Sequence, residues 1–145
     1  MPEPKRILVL EDDPLQAEWL SDEVIWRAFP DAQLLYFDSE HSFLKALAEK
    51  KIQGWTPQYA IMDLLVRYYS PRDLADLRSP PNFDKIPDPK EAGIRCRKEL
   101  LTECPEVKSV IVTVLDSQLG DCFVIRKGDE KFAEELVDLL KNPSA

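Results

Sequence analysis

The sequence predicts an α/β fold, a doubly wound five-stranded parallel sheet with helices on both faces. Three observations point to it. Short apolar runs rich in β-branched residues alternate with stretches of helical periodicity, the order that strand–helix–strand crossovers produce. The runs 7–10 (ILVL) and 59–62 (YAIM) lack polar alternation, as strands covered on both faces do. At 145 residues and 16.7 kDa the chain has the size of one domain, with a core that needs neither disulfides nor metal.

Residues 7–10 read as a central strand. Asp13 and Pro14 then supply a helix N-cap and a first-turn proline. That helix is expected to reach about Phe29, with Leu15, Trp19, Leu20, Val24 and Ala28 near one face. Residues 34–37 form a second strand, and Ser39 caps a helix carrying Phe43, Leu44, Leu47 and Ala48, which Gly54 is expected to break. His41, near the start of that helix, is expected to be exposed or capping. The tryptophans read as core or partly buried groups, with Trp55 the most exposed. The third strand, 59–62, ends in Asp63.

Residues 64–89 separate Asp63 from the next helix start, whereas a strand-to-helix loop usually takes about 2–6 residues. The segment holds five prolines, no glycine, and the aromatics Tyr68, Tyr69 and Phe83. It is read either as a solvated loop or as a partner-binding or lid element, and it leaves the sheet edge either over the site at the strand ends or beside a shortened fourth connection, where its aromatics would cover apolar surface. Asp88, Pro89 and Glu91 then form a cap, a first-turn proline and an N3 acid. The helix they start sets Cys96, Leu100 and Cys104 on one face and stops at Pro105. Residues 110–112 make a fourth strand ending at Thr113, and 122–125 a fifth ending near Lys127. The connection between them, 114 to about 120, is shorter than the ~10–12 residues of a crossover with a full helix, so the fourth helix is shortened or absent. A last helix spans about 129–141, burying Phe132, Leu136, Val137, Leu139 and Leu140, and Asn142-Pro143 stops it. With no repeat or linker, residues 1–145 read as a single domain with an inserted loop at about 64–89.

The net charge of −8 and a pI near 4.7 argue against direct nucleic-acid binding, which needs clustered cations. No apolar run reaches the length of a membrane span, and the MPEPKR start lacks the apolar stretch of a secretory signal. A cytoplasmic location without membrane insertion is expected. Cys96, Cys104 and Cys122 show no metal-ligand spacing and read as buried thiols.

In a doubly wound sheet, ligands bind beyond the carboxyl ends of the strands. Four strands end there in chemically capable residues: Glu11 and Asp12, Asp63, Thr113, and Lys127. Three carboxylates brought together repel unless a cation intervenes. A hard divalent ion suits them, and Mg²⁺ fits a site of few carboxylates completed by water and phosphate oxygens. Thr113 and Lys127 add a hydroxyl and an ammonium able to hold phosphate oxygens.

The sequence here resembles the receiver domain of two-component response regulators. The matching pieces are RILVLEDDP with Glu11 and Asp12, YAIMDLL with Asp63, VIVTVLD with Thr113, VIRKGDEKF with Lys127, and AGIRCRKELL around Gly93. The resemblance covers nearly the whole chain outside residues 64 to about 90, and no output domain follows, which makes it look like a stand-alone, atypical receiver. It implies a flavodoxin-like strand order 2-1-3-4-5. It implies that Asp63 accepts a phosphoryl group from a histidine kinase, a phosphotransfer protein or a small phosphodonor. Asp12 and Asp63, the carbonyl of Leu65, and Glu11 directly or through water would hold Mg²⁺, while Thr113 and Lys127 act on the phosphoryl group and switch a surface read by a downstream protein target. Any catalysis is limited to the chain's own phosphorylation and dephosphorylation, with no turnover enzyme implied. Three positions depart from the family pattern: Gly128 stands where proline usually follows the lysine, Val124 at the switch aromatic, and Val114 at a usually small residue. The alternative reading is a receiver-fold interaction module independent of phosphorylation. A haloacid-dehalogenase-type phosphatase needs a second acid two residues after the nucleophile, and that position is Leu65.

Overall fold

The structure is a computed structural model and describes residues 4–113, 123–126 and 132–141. Its five strands are β1 (Arg6–Leu10), β2 (Gln33–Phe37), β3 (Tyr59–Asp63), β4 (Lys108–Thr113) and β5 (Phe123–Arg126). They form one sheet in the order β2-β1-β3-β4-β5, and all four ladders are parallel. Successive side chains of a strand point to opposite faces, so each central strand feeds two cores. Ile7, Val9, Ile61, Val110 and Val112 pack into one, and Leu8, Leu10, Ala60, Met62 and Ile111 into the other. That division explains why β1 and β3 read as continuous apolar runs.

Two helices close the first core. Helix α1 begins as Pro14–Leu20, continues as a π-helical stretch over Ser21–Ile25 and ends in Trp26–Ala28, while α6 is Phe132–Lys141. Leu20, Val24 and Ala28 are buried as expected, but Leu15 is 75% and Trp19 36% exposed. At 3.6 residues per turn, Leu15 lies about 140° and Trp19 about 100° around the axis from Leu20, too far to share its stripe. The π turn brings Ile25 into the core beside Val24 and leaves Trp26, rather than Trp55, the most exposed tryptophan at 44%. On α6, Leu136, Val137 and Leu140 are buried and Leu139 partly so.

The second core is closed by α2 (Glu40–Ala48), α3 (Lys51–Trp55) and α5 (Ala92–Glu103). Ser39 caps α2 by accepting from the Ser42 amide. The break after α2 falls at Lys50, not Gly54. Lys50 takes a left-handed conformation (φ 65°) and its amide donates to Leu47 O, which ends α2, while Gly54 sits inside α3. Between β3 and α5, the expected irregular loop contains a helix, α4 (Pro71–Asp76), and a 3₁₀ turn at Phe83–Lys85. Ser70 and Asp73 form a reciprocal capping box with Pro71 in the first turn, so a short helix forms within the segment read as a loop or lid element. A 3₁₀ turn, Pro89–Glu91, capped by Asp88, leads into α5. Among the described residues, no helix is long and apolar enough to cross a membrane. The expectations for the 114–120 connection and the fourth helix, for Val114, Cys122, Lys127 and Gly128, and for 129–131 lie outside the described residues.

Gly93, in the first turn of α5, fixes how closely that helix meets the end of β3. Its amide donates to Leu64 O at 3.0 Å, and a Cβ added there would stand 2.3 Å from Asp63 O and 2.8 Å from Leu64 Cα. Both neighbours are backbone, so they cannot swing aside. Helix propensity alone favours Gly→Ala by about 1 kcal/mol, and overpacking costs ~1–3 kcal/mol. Gly93→Ala is therefore expected to lower the melting temperature. Gly54→Ala, on a helix with nothing within 4 Å of the new Cβ, is expected to hold or raise it. Thermal melts of the two variants check this contrast.

Candidate acidic site at the strand ends

Glu11 and Asp12 directly follow β1. The Glu11 amide extends the ladder by donating to Phe37 O at 3.0 Å, and the Tyr36 hydroxyl donates to Glu11 O at 2.6 Å. The backbone is thus held from the β2 side, and the Glu11 side chain, 1% exposed, turns in, where its Oε1 accepts from the Asp13 amide at 3.2 Å. Asp13 caps α1 through Leu15 N, which leaves Asp12 for other work. Burial, with the charges of Asp38 and Glu11, pushes the Tyr36 phenol up to about 12, so it remains a donor.

Asp63 ends β3 and is 6% exposed. Its position is fixed by neighbours on three sides: Leu64 N donates to Val112 O at 3.0 Å, Gly93 N to Leu64 O, and Leu65 N to Asp63 Oδ1 at 3.3 Å. One carboxylate oxygen from each of Glu11, Asp12 and Asp63 lies within 4.8 Å of the others. The set is all oxygen and all anionic, so it fits a hard divalent ion and not a soft one.

The other expected site residues stand as follows. Thr113 ends β4 opposite Arg126 of β5, one step beyond Val112, the ladder partner of Asp63. Its backbone is therefore at the same edge of the sheet. Lys127 follows the last residue of β5 and lies outside the described residues. Leu65 is two residues past Asp63 and exposed.

Beside the acids lies a polar network that the sequence reading missed. Residues 67–73 fold across the start of α2: the Glu40 amide donates to Arg67 O at 3.0 Å and the His41 amide to Tyr68 O at 2.8 Å. Tyr68 and Tyr69 pack edge-to-face with centroids 4.7 Å apart, and the His41 ring lies tilted against both, half-buried rather than exposed. These tyrosines cover the α2 end, on the β2 side of the sheet, and Phe83 is left 63% exposed. The expected cover for apolar surface beside the fourth connection falls on residues 114–120, outside the described residues. Backbone donors at the α2 N-terminus, unsatisfied within the helix, draw the segment there.

Glu40, only 2% exposed, takes a two-pronged ion pair from Arg95 at 2.9 and 2.7 Å, and Arg95 also donates to Asp88 O at 2.7 Å. The hydrogen bonds it donates to Glu40 hold the Arg95 guanidinium above its ordinary value. Ser39 Oγ donates to Asp73 Oδ2 at 2.5 Å, and the Ser70 amide donates to the same oxygen at 2.8 Å. Burial works to raise the Asp73 carboxyl, but the hydrogen bonds from Ser39 and Ser70 outweigh it and hold it below the ordinary carboxylate value. The capping pattern S-P-R-D at 70–73 was the one signal that could have located this anchor. Elsewhere, burial pushes the Cys96 thiol up, in keeping with an inert core group.

A depressed carboxyl stabilises the fold above its unfolded pKa and loses that contribution as pH falls through the folded value. Asp73→Ala is accordingly expected to destabilise by ~1–2 kcal/mol near neutral pH, from lost capping and hydrogen bonds. The deficit is expected to shrink as pH drops below the ordinary carboxyl value of 3.8. Denaturant melts of both proteins at several pH values read it directly.

No protein-family model matches the chain. No curated protein matches it either. Solved structures do. A two-component transcriptional regulator AraC from Clostridium phytofermentans superposes with a TM-score of 0.62 at 18% identity, over 95% of this chain and 90% of that one. The receiver domain of a LuxO repressor protein from Vibrio parahaemolyticus gives 0.60 at 16% identity, over 97% and 92%. The phosphorylated cyanobacterial phytochrome response regulator RcpA gives 0.60 at 11% identity, over 97% and 91%. The chain has the fold of a response-regulator receiver domain.

Proposed function

We propose that this receiver-fold protein is a phosphorylation-dependent signalling receiver that takes a phosphoryl group on Asp63 and switches a protein-binding surface. One observation carries the reading. Glu11, Asp12 and Asp63 bring one carboxylate oxygen each within 4.8 Å at the carboxyl edge of a receiver-type sheet. The fold is a scaffold, and only the site speaks to chemistry.

Glu11, Asp12 and Asp63, with the Leu65 carbonyl, are the groups that would hold Mg²⁺. Bound there, the ion supplies positive charge that offsets the carboxylates and the incoming phosphoryl oxygens. The remaining work falls to the chain. Asp63 is buried, its Oδ1 accepts from the Leu65 amide, and its carboxylate acts as the nucleophile. Attack on the phosphorus of a phosphohistidine forms an oxygen–phosphorus bond as the nitrogen–phosphorus bond breaks, and the imidazole leaves with a proton. Lys127 pairs with a phosphoryl oxygen, and the Thr113 hydroxyl donates to another. The donor is a histidine kinase, a phosphotransfer protein or a small phosphodonor, and the readout is a downstream protein. Val124 at the switch-aromatic position and Gly128 after Lys127 leave the chemistry in place while altering how the surface responds.

Beryllofluoride in the presence of Mg²⁺ mimics a phosphoryl group on a carboxylate and tests the reading. Wild type is expected to show amide NMR shifts centred on the strand ends, and Asp63→Ala none. A wild-type spectrum that does not change would overturn phosphorylation and favour the interaction module independent of it.

A further inference from the structure

Asp12 is the least buried of the three acids, and its carboxylate is held by a distant part of the chain. Its Oδ2 accepts from the Arg67 amide at 3.1 Å, across 55 residues of sequence. That amide is placed by the rest of Arg67. The guanidinium Nε donates to Asp38 O at 3.2 Å and Nη2 to Asp38 Oδ2 at 3.3 Å, just past β2. The carbonyl of Arg67 accepts from Glu40 N at 3.0 Å. Arg67 therefore begins a strap, residues 67–73, that bridges the end of β2 to the carboxylate beyond β1, and Asp38, the half-buried partner of its ion pair, stands outside the acidic cluster.

We infer that Arg67 is a positioning residue for the cation site: anchored on Asp38, it uses its main-chain N–H to hold one Asp12 oxygen so that the other faces Glu11 and Asp63. This rests on the metal reading of the acidic cluster given above. A carboxylate held in this way loses less rotamer freedom on binding an ion, so the site is organised before the ion arrives. The strap's docking on α2 and the ion's affinity are then linked, and a partner that lifts the strap weakens the site by the same factor that the ion strengthens docking.

The sign of one substitution separates positioning from plain electrostatics. Arg67 is a cation near an anionic site, so by Coulomb's law alone removing its charge tightens Mg²⁺ binding. Positioning demands the opposite. Titration calorimetry of Mg²⁺ into the full chain is expected to show Arg67→Ala binding about fivefold more weakly than wild type, which is about 1 kcal/mol. Arg67→Lys is expected to fall between the two, a recovery that restored positive charge cannot give. Equal or tighter binding by Arg67→Ala, or Arg67→Lys weaker than Arg67→Ala, overturns the inference while leaving the metal site standing. Should Arg67→Ala lose its native circular-dichroism spectrum, Arg67→Lys against wild type decides, weaker binding supporting positioning and equal or tighter binding refuting it. A wild type that binds no Mg²⁺, or an Asp12→Ala variant that binds it as wild type does, removes the metal reading and this inference together.

Discussion

Three carboxylates within 4.8 Å of one another repel, and a chain keeps them together only where its backbone gives them no room to part. Here the room is removed by parallel strands. The pairing of β1 with β3 places Leu10 opposite Met62, so the next residues, Glu11 and Asp63, emerge side by side. Glu11 is tied to β2 through Phe37 and Tyr36, and Asp63 to β4 through Leu64 and Val112. Gly93 lets α5 approach Asp63 to a distance that no other residue would allow. The repulsion is a cost spread over the sheet's hydrogen bonds and two apolar cores, and a bound cation is the natural means of relieving it.

The segment after β3 answers a different demand. A strand that ends at a crowded edge must lead its chain away without leaving buried polar groups unmet. Arg67, Tyr68 and Ser70 do so by giving their carbonyls and caps to the start of α2 and to α4. The Glu40–Arg95 pair then joins α2 to α5 beneath this strap. A buried pair of this kind contributes little net stability against an apolar alternative, but removing one partner leaves an uncompensated charge. Its value lies in fixing which surfaces meet.

Much of this was legible in the residues. Unbroken apolar runs at 7–10 and 59–62 mark strands covered on both faces, and the acids at their ends mark the ligand edge, because both signals are local and strong. The helix phase of α1 was not, since a π turn at Ser21–Ile25 shifts the stripe in a way that 3.6-residue periodicity cannot anticipate. Lys50 ending α2 escaped for a similar reason: glycine is the expected left-handed residue, and a lysine takes that conformation only where tertiary packing imposes it. The hold of Arg67 on Asp12 spans 55 residues and runs through a backbone amide, which leaves no mark on side-chain pattern at all. The S-P-R-D cap at 70–73 is a local signal, but the helix it starts is only six residues long and carries no buried residue that would give it an apolar stripe.

The account turns on whether the acidic cluster is one cation site. Crystals soaked in Mn²⁺, a hard ion that stands in for Mg²⁺ and scatters anomalously, test it most directly. A single anomalous peak bonded to oxygens of Asp12 and Asp63, with Glu11 bound directly or through one water, is the predicted result. A map with no peak among the three carboxylates, or with a peak that leaves Asp63 outside its ligands, would contradict it.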